Sequence, residues 1–182
     1  EIFEDNGAQV EGERVYLPRK VVEEALDRAP SSFTLHARNP DNNVVIGEDN
    51  SVLAPSSGVP FVTDLDNGRR DATFEDYVNL TKIASDSDHI DLLGGLIVEP
   101  TDVADETMLS SLIEYAKYNQ ATVITPAAMA GSTGPMSIAG TLTLQNAEAI
   151  AGIVLTQLIN PGAPVVYGCA STITDMKTAG LA

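Results

Sequence analysis

Tryptophan is absent, aromatic residues make up only 5% of the chain, and a single cysteine, Cys169, stands among 182 residues. One thiol excludes an internal disulfide framework and any metal site built from several thiolates, and it suits a reducing, cytoplasmic setting. Basic residues are scarce as well. Ten Lys plus Arg face 26 Asp plus Glu, a formal net charge of −16. A surface this acidic repels phosphate backbones and anionic lipid, so neither nucleic acid nor a membrane is expected as a partner. Solubility is the plain consequence; the sharper one is a field that draws in cationic substrates. No apolar run is expected to reach the length of a bilayer span, and no basic-then-apolar signal opens the chain. Glu1 begins inside what reads as the last turns of a helix, and residues 178–182 stop without a cap, so both ends are expected to be cuts.

What is present falls into two textures. Residues 1–70 read as a mixed α+β region of small elements. Gly7 offers a helix C′ position. Residues 10–17 alternate around Gly12 as a small hairpin. Pro18 suits the first position of a helix carrying Val21, Val22, Ala25 and Leu26, which Pro30 stops. Residues 32–37 and 44–46 read as strands either side of the turn Asn39-Pro40-Asp41-Asn42. Asp66-Asn67-Gly68 is a hairpin signal.

From 71 to 182 the rhythm becomes helix alternating with buried strand. Thr73 and Asp76 form a capping-box pattern opening a helix to about residue 84. Residues 90–98 are a nearly unbroken apolar run, as a strand covered on both faces requires. Residues 106–118 carry apolar positions at helical spacing. Residues 121–125 read as a second buried strand, ended by Pro126. Gly134-Pro135 opens a long apolar helix to Ile159, stopped by Asn160-Pro161-Gly162, and residues 164–168 are a third buried strand. This order predicts an α/β fold with a parallel sheet, either open and doubly wound or closed as a barrel.

Candidate chemistry is sparse. His36 and His89 lack a second His or a paired carboxylate at ligand spacing, which predicts structural histidines. Cys169, just past a strand end with no cation beside it, predicts a small buried residue. The loop Gly131-Ser132-Thr133-Gly134-Pro135 feeds a helix start, so its amides could hold an anion; taken alone, a tightly turned capped loop is the better reading. Gln145, Asn146 and Glu148 interrupt an apolar helix, either as a solvent-facing strip or as part of a site. If the fold is a barrel, residues just past the strand ends line the site: Ser56-Ser57-Gly58, Glu99-Pro100, Thr125-Pro126-Ala127, and residues 167–171.

The string from Thr125 to Glu148 (TPAAMAGSTGPMSIAGTLTLQNAE), continuing through Pro161-Gly162-Ala163-Pro164-Val165-Val166-Tyr167-Gly168 to Asp175-Met176-Lys177, resembles the trimethylamine methyltransferase family. So do Leu17-Pro18, residues 29–38 (APSSFTLHAR) and residues 61–66 (FVTDLD). The resemblance covers essentially the whole chain. It implies a partial (β/α)8 barrel of TIM type preceded by an N-terminal antiparallel hairpin and helix region. It also implies methyl transfer from a methylated tertiary or quaternary amine, such as trimethylamine or glycine betaine, to cobalt(I) of a corrinoid (cobalamin) carried by a separate corrinoid protein. On this reading the chain itself binds no cofactor tightly, and self-association into a homo-oligomer stays open. Tyr167, Glu99, Asp175, Ser57, Thr125 and Gln145 are the expected amine-binding residues. Gly131, Ser132 and Ser171 are expected to face the cofactor. Relatives carry further βα units between residues 103 and 104 of this chain, so a deletion or break is expected there. The alternatives are a non-catalytic piece that keeps the corrinoid-protein docking surface, and an unrelated α/β-barrel lyase or hydrolase.

Overall fold

The computed structural model describes residues 1–37, 39–54, 61–91, 97–98, 106–175, 177–178 and 180, with the backbone alone for 97–98 and 106–108. Two compact units divide the chain. One joins residues 1–30 to 97–182, and the other is 31–96.

The chain opens on α1 (Ile2–Asp5), which Asn6 and Gly7 close. The hairpin β1 (Gln9–Glu11) and β2 (Arg14–Tyr16) follows, antiparallel, with Val10 opposite Val15. Helix α2 (Arg19–Arg28) comes next. Pro18 sits at its N-cap, one position before the predicted first turn, because its extended ψ of 143° leaves the first helical geometry to Arg19.

The unit 31–96 holds β3 (Ser32–Leu35) against β4 (Val44–Gly47), joined through a 3-10 turn at Pro40–Asn42. Then come β5 (Phe61–Asp64) and β6 (Gly68–Asp71), the hairpin announced by Asp66-Asn67-Gly68. Asp64 builds that turn: its Oδ1 accepts the amides of Asp66 at 3.0 Å and Asn67 at 2.6 Å. Helix α3 (Phe74–Ser85) starts at the predicted capping box, in which the Thr73 hydroxyl and the Asp76 carboxylate each take the other's backbone amide. Arg70 ties hairpin to helix. Its Nη1 and Nη2 meet both oxygens of Asp76 at 2.6 and 2.7 Å, and its Nε meets Asp64 at 3.0 Å.

The other unit resumes with β7 (Ile97–Val98), α4 (Glu106–Lys117), β8 (Thr122–Ile124), β9 (Met129–Ala130), α5 (Ile138–Ile159), β10 (Val165–Tyr167) and β11 (Thr172–Ile173). Strands β10, β8 and β7 form a parallel sheet in that order. The three strands follow chain order, with α4 between β7 and β8, and β9 and α5 between β8 and β10, so among the described residues this sheet shows none of the order reversal that marks a doubly wound fold. The fold is thus mixed α/β, with small sheets and five helices among the described residues; these residues do not close a barrel.

The core of this unit gathers Leu112 from α4, Ile124 from β8, Ile153 and Leu155 from α5 and Val165 from β10, with Ile2 and Phe3 of α1 packed against it. Two expectations change here. Helix α5 begins at Ile138 behind the N-cap Ser137, whose hydroxyl accepts the Gly140 amide at 3.1 Å; Gly134 and Pro135 belong to the turn before it. The 22-residue α5 is also long and apolar enough, by length and composition, to cross a bilayer, which the sequence reading had not anticipated. Here it lies against α1, α2, α4, β8 and β10 and buries Gln145, Thr156 and Gln157, as a core helix does.

Candidate strand-tip site

The sheet does not stop at the tips of β8 and β10. Val165 faces Thr122 and Thr172 faces Met129, the same offset of 43 residues, so β9 and β11 continue the register of the strands before them. Between the two pairs the ladder runs on: Gly168 N donates to Ile124 O at 2.8 Å and Ala170 N to Pro126 O at 3.0 Å. Thr172 N then reaches Ala128 O at 3.2 Å and Thr174 N reaches Ala130 O at 3.0 Å. Residues 122–130 and 165–174 therefore form one long parallel ribbon. Pro126, expected to end the second buried strand, does not end the ladder. Pro126 lacks an amide but keeps a carbonyl, so it serves a ladder in which that carbonyl is the group required.

This ribbon decides where several predicted site residues lie. Ser171 is a stitch in it, its hydroxyl accepting the Ala128 amide at 3.1 Å. Thr125 is nearly buried, 9% exposed, and lies so close to Gly168 that a β-carbon there would collide with its hydroxyl oxygen. Gly131 and Ser132 sit in the turn after β9. The Gly131 amide donates to Gly134 O, the Ser132 and Gly134 amides to Met129 O, and the Met129 amide to the Thr133 hydroxyl. The amides of Gly131, Ser132 and Gly134, three of those expected to be able to hold an anion, are thus consumed by the turn itself.

Tyr167 and Gln145 do come together. Tyr167 closes β10 and is 45% exposed as a residue, while Gln145 on α5 is 4% exposed. Gln145 Nε2 donates to Tyr167 Oη at 3.4 Å, and Tyr167 Oη donates to Asn146 Oδ1 at 3.3 Å. Cys169 donates its thiol to Gln145 Oε1 at 2.9 Å. Cys169 is an exposed residue, not the buried one expected, and lies within the ribbon between the Gly168 and Ala170 rungs. The polar trio on α5 divides: Gln145 is buried inward, Asn146 caps the phenol from outside, and Glu148 is half-buried. Asn146 and Cys169, named above with the polar trio and with residues 167–171 but not among the expected amine-binding residues, join Tyr167 and Gln145 here. Asn146 was visible as an interruption of an apolar helix, whereas nothing in the spacing tied it to Tyr167, 21 residues on.

Asp175 is engaged in its own turn. The Lys177 amide reaches its Oδ1 at 2.7 Å and, with contributions from Thr178, holds its carboxyl below the ordinary carboxylate range. Ser57 and Glu99, and the suspected break near 103–104, lie outside the described residues. Among those described, no three His, Cys, Asp or Glu side chains gather as a metal set. In the unit 31–96, a cleft of about 600 Å³ lies beside His36, Asp41 and Asp91.

Parallel strands joined by helices are the arrangement in which α/β folds bind ligands at the carboxyl ends of strands, which is where Tyr167 and Gln145 meet. The comparisons sharpen this. The family profile described as trimethylamine methyltransferase matches residues 1–106 and 103–182, and the chain belongs to that family. It is 40% identical over 246 aligned positions to a glycine betaine methyltransferase of Desulfitobacterium hafniense (strain Y51), covering all of this chain and 51% of that protein. It is 26% identical to a trimethylamine methyltransferase of D. hafniense (strain DSM 10664 / DCB-2), over 97% of this chain and 49% of that one. An L-carnitine:corrinoid methyltransferase of Eubacterium limosum is 24% identical, over 97% and 51%. The chain spans about half the length of these relatives. An alignment of 246 positions that uses all 182 residues here leaves about 64 positions of the first relative opposite nothing.

Proposed function

We propose that this chain is the amine-binding part of a corrinoid-dependent methyltransferase, moving a methyl group from a methylated tertiary or quaternary amine to a corrinoid carried by a partner protein in the cytoplasm. The observation that carries the reading is family membership joined to the half-exposed Tyr167 at the tip of β10. An aromatic face attracts a quaternary ammonium, by about 0.5–2 kcal/mol. The net charge of −16 adds a field of the right sign, to which Asp175 and Glu99 would contribute. We place the sheet in a partial (β/α)8 barrel, since its strands follow chain order.

The corrinoid supplies a strong cobalt nucleophile, and its ring chelates its own metal, so this chain need not furnish ligands. The residues present fit that division of labour. Tyr167 offers a ring face, and Gln145 and Asn146 hold its phenol, so the ring can orient a cation while the methyl carbon faces outward. A quaternary donor leaves as a neutral tertiary amine, and a tertiary donor reacts as its protonated ammonium and leaves as a neutral secondary amine, so in either case no proton has to be moved by a side chain.

The test is anaerobic methyl transfer from glycine betaine, trimethylamine and carnitine to cob(I)alamin, for this chain and for a full-length relative. Transfer from at least one amine is expected with the relative, and Tyr167→Ala is expected to weaken amine binding about tenfold. Unchanged affinity would remove Tyr167 from the site. The half-length match favours one second reading, a part that docks the corrinoid protein without turning over. Activity in the relative combined with corrinoid-protein binding but no turnover here selects it.

A further inference from the structure

Along its first three turns α5 buries a single line of side chains, Thr141, Gln145 and Ala149, spaced one turn apart. Thr141 answers a local need, its hydroxyl donating to Pro135 O at 2.7 Å. Gln145 alone brings a long amide to that line. A buried amide is stable only when its donor and acceptor are both used, and this one is ordered by its partners. The Cys169 thiol can donate to the amide oxygen, 2.9 Å away, so that oxygen faces the thiol and Nε2 is left facing Tyr167. Accepting there, the phenol sends its own proton to Asn146 Oδ1 at 3.3 Å. The result is a directed relay, thiol to amide and amide to phenol to Asn146, that grips the phenol while leaving the ring face open.

We propose that Gln145 is the positioning residue for Tyr167, fixing the ring from behind rather than touching the amine. Its use with an amine rests on the function proposed above; the positioning itself is read in the ligand-free chain. Cys169 makes this measurable, because it is the only thiol in the sequence. The near-isosteric Gln145→Met deprives that thiol of its acceptor, and its reaction with an aromatic disulfide reagent should accelerate about threefold or more. Carbon-13 signals of the Tyr167 ring, assigned by their loss in Tyr167→Phe, should shift and broaden. Gln145→Glu keeps an acceptor for the thiol but takes the donor from the phenol and sets a carboxylate beside the thiol, so the thiol should react no faster than in the parent while the Tyr167 ring signals still shift. Should the Met variant lose helix content, Tyr167→Phe reads the relay from its other end, and an unchanged thiol rate there counts against it.

Calorimetry with glycine betaine and trimethylamine supplies the second arm, in which Gln145→Met should weaken binding about fivefold with Tyr167 still present. A Met variant with unaltered thiol rate and ring signals overturns the positioning role. So does one that binds amine as tightly as a binding-competent parent. If the parent binds neither amine, the functional reading falls, and the thiol and ring signals alone decide the role of Gln145.

Discussion

At Gly152 helix α5 approaches β8, and at Gly168 one strand approaches its neighbour; each contact turns on a missing β-carbon. A methyl at Gly152, in the middle of α5, would stand 2.8 and 2.9 Å from Ile124 Cγ2 and Cδ1, in a side chain that is fully buried. Alanine returns about 1 kcal/mol of helix propensity, while overpacking a filled core costs about 1–3 kcal/mol. Gly152→Ala is therefore expected to be destabilising by about 1 kcal/mol, read as a lower urea midpoint at constant slope; a raised midpoint would mean that Ile124 yields freely. Gly168→Ala meets Val123 Cγ1 at 2.9 Å, Ile124 O at 3.1 Å and the Thr125 hydroxyl nearer still. Backbone cannot step aside as a side-chain tip can, so this change should cost more than the one in the helix and should disturb Tyr167 next door. A Gly168→Ala protein as stable as Gly152→Ala would contradict that order.

Helix α3 depends on its first turn. Thr73→Ala removes a cap worth about 1 kcal/mol, and unchanged thermal stability of the variant would show the cap to be idle. The Arg70 guanidinium, with help from Thr73, holds the Asp76 carboxyl well below the usual carboxylate range. A group depressed on folding contributes above its unfolded pKa, about 4, and loses that contribution as pH falls through its lower folded value. Stability should thus be level from pH 7 to about 5 and decline below about 4. Asp76→Asn should flatten that decline, and a variant with the same acid profile would exclude the pair as its source. Elements of this kind were legible because their signals are local: Thr73 and Asp76 stand three residues apart, and Asp66-Asn67-Gly68 can hardly be other than a turn. The ribbon was not legible. Met129-Ala130 and Thr172-Ile173 are too short to carry a period, and they become strands only because their backbones meet across 43 residues. The site shares that limit. Tyr167 and Gln145 could be nominated singly, but their bond joins residues 22 apart with no pattern linking them.

At the scale of the molecule, the two matches to the family profile meet at residues 103–106, and the aligned relative holds about 64 positions that this chain does not. A βαβ unit takes about 30 residues, so the difference corresponds to about two helix-strand repeats. Their removal would leave β7 and β8 free to pair in parallel, as they do through Ile97 and Val123. The junction contains no Lys or Arg from Ile83 to Ala116, so trypsin acting on the natural protein should release residues 83–117 as one peptide of the mass given by this sequence. A longer peptide, or two separate ones, would show that the natural chain keeps the intervening repeats. The ribbon from 122 to 130 has a consequence of its own for how such proteins can change length. Its two halves are geared tooth to tooth, so one residue added to either half alone would throw all later rungs out of mesh and turn inward-facing side chains outward. Tolerated changes should come as matched pairs, one in each half, or fall outside the geared stretch, in the turn after Ala130 and beyond Thr174.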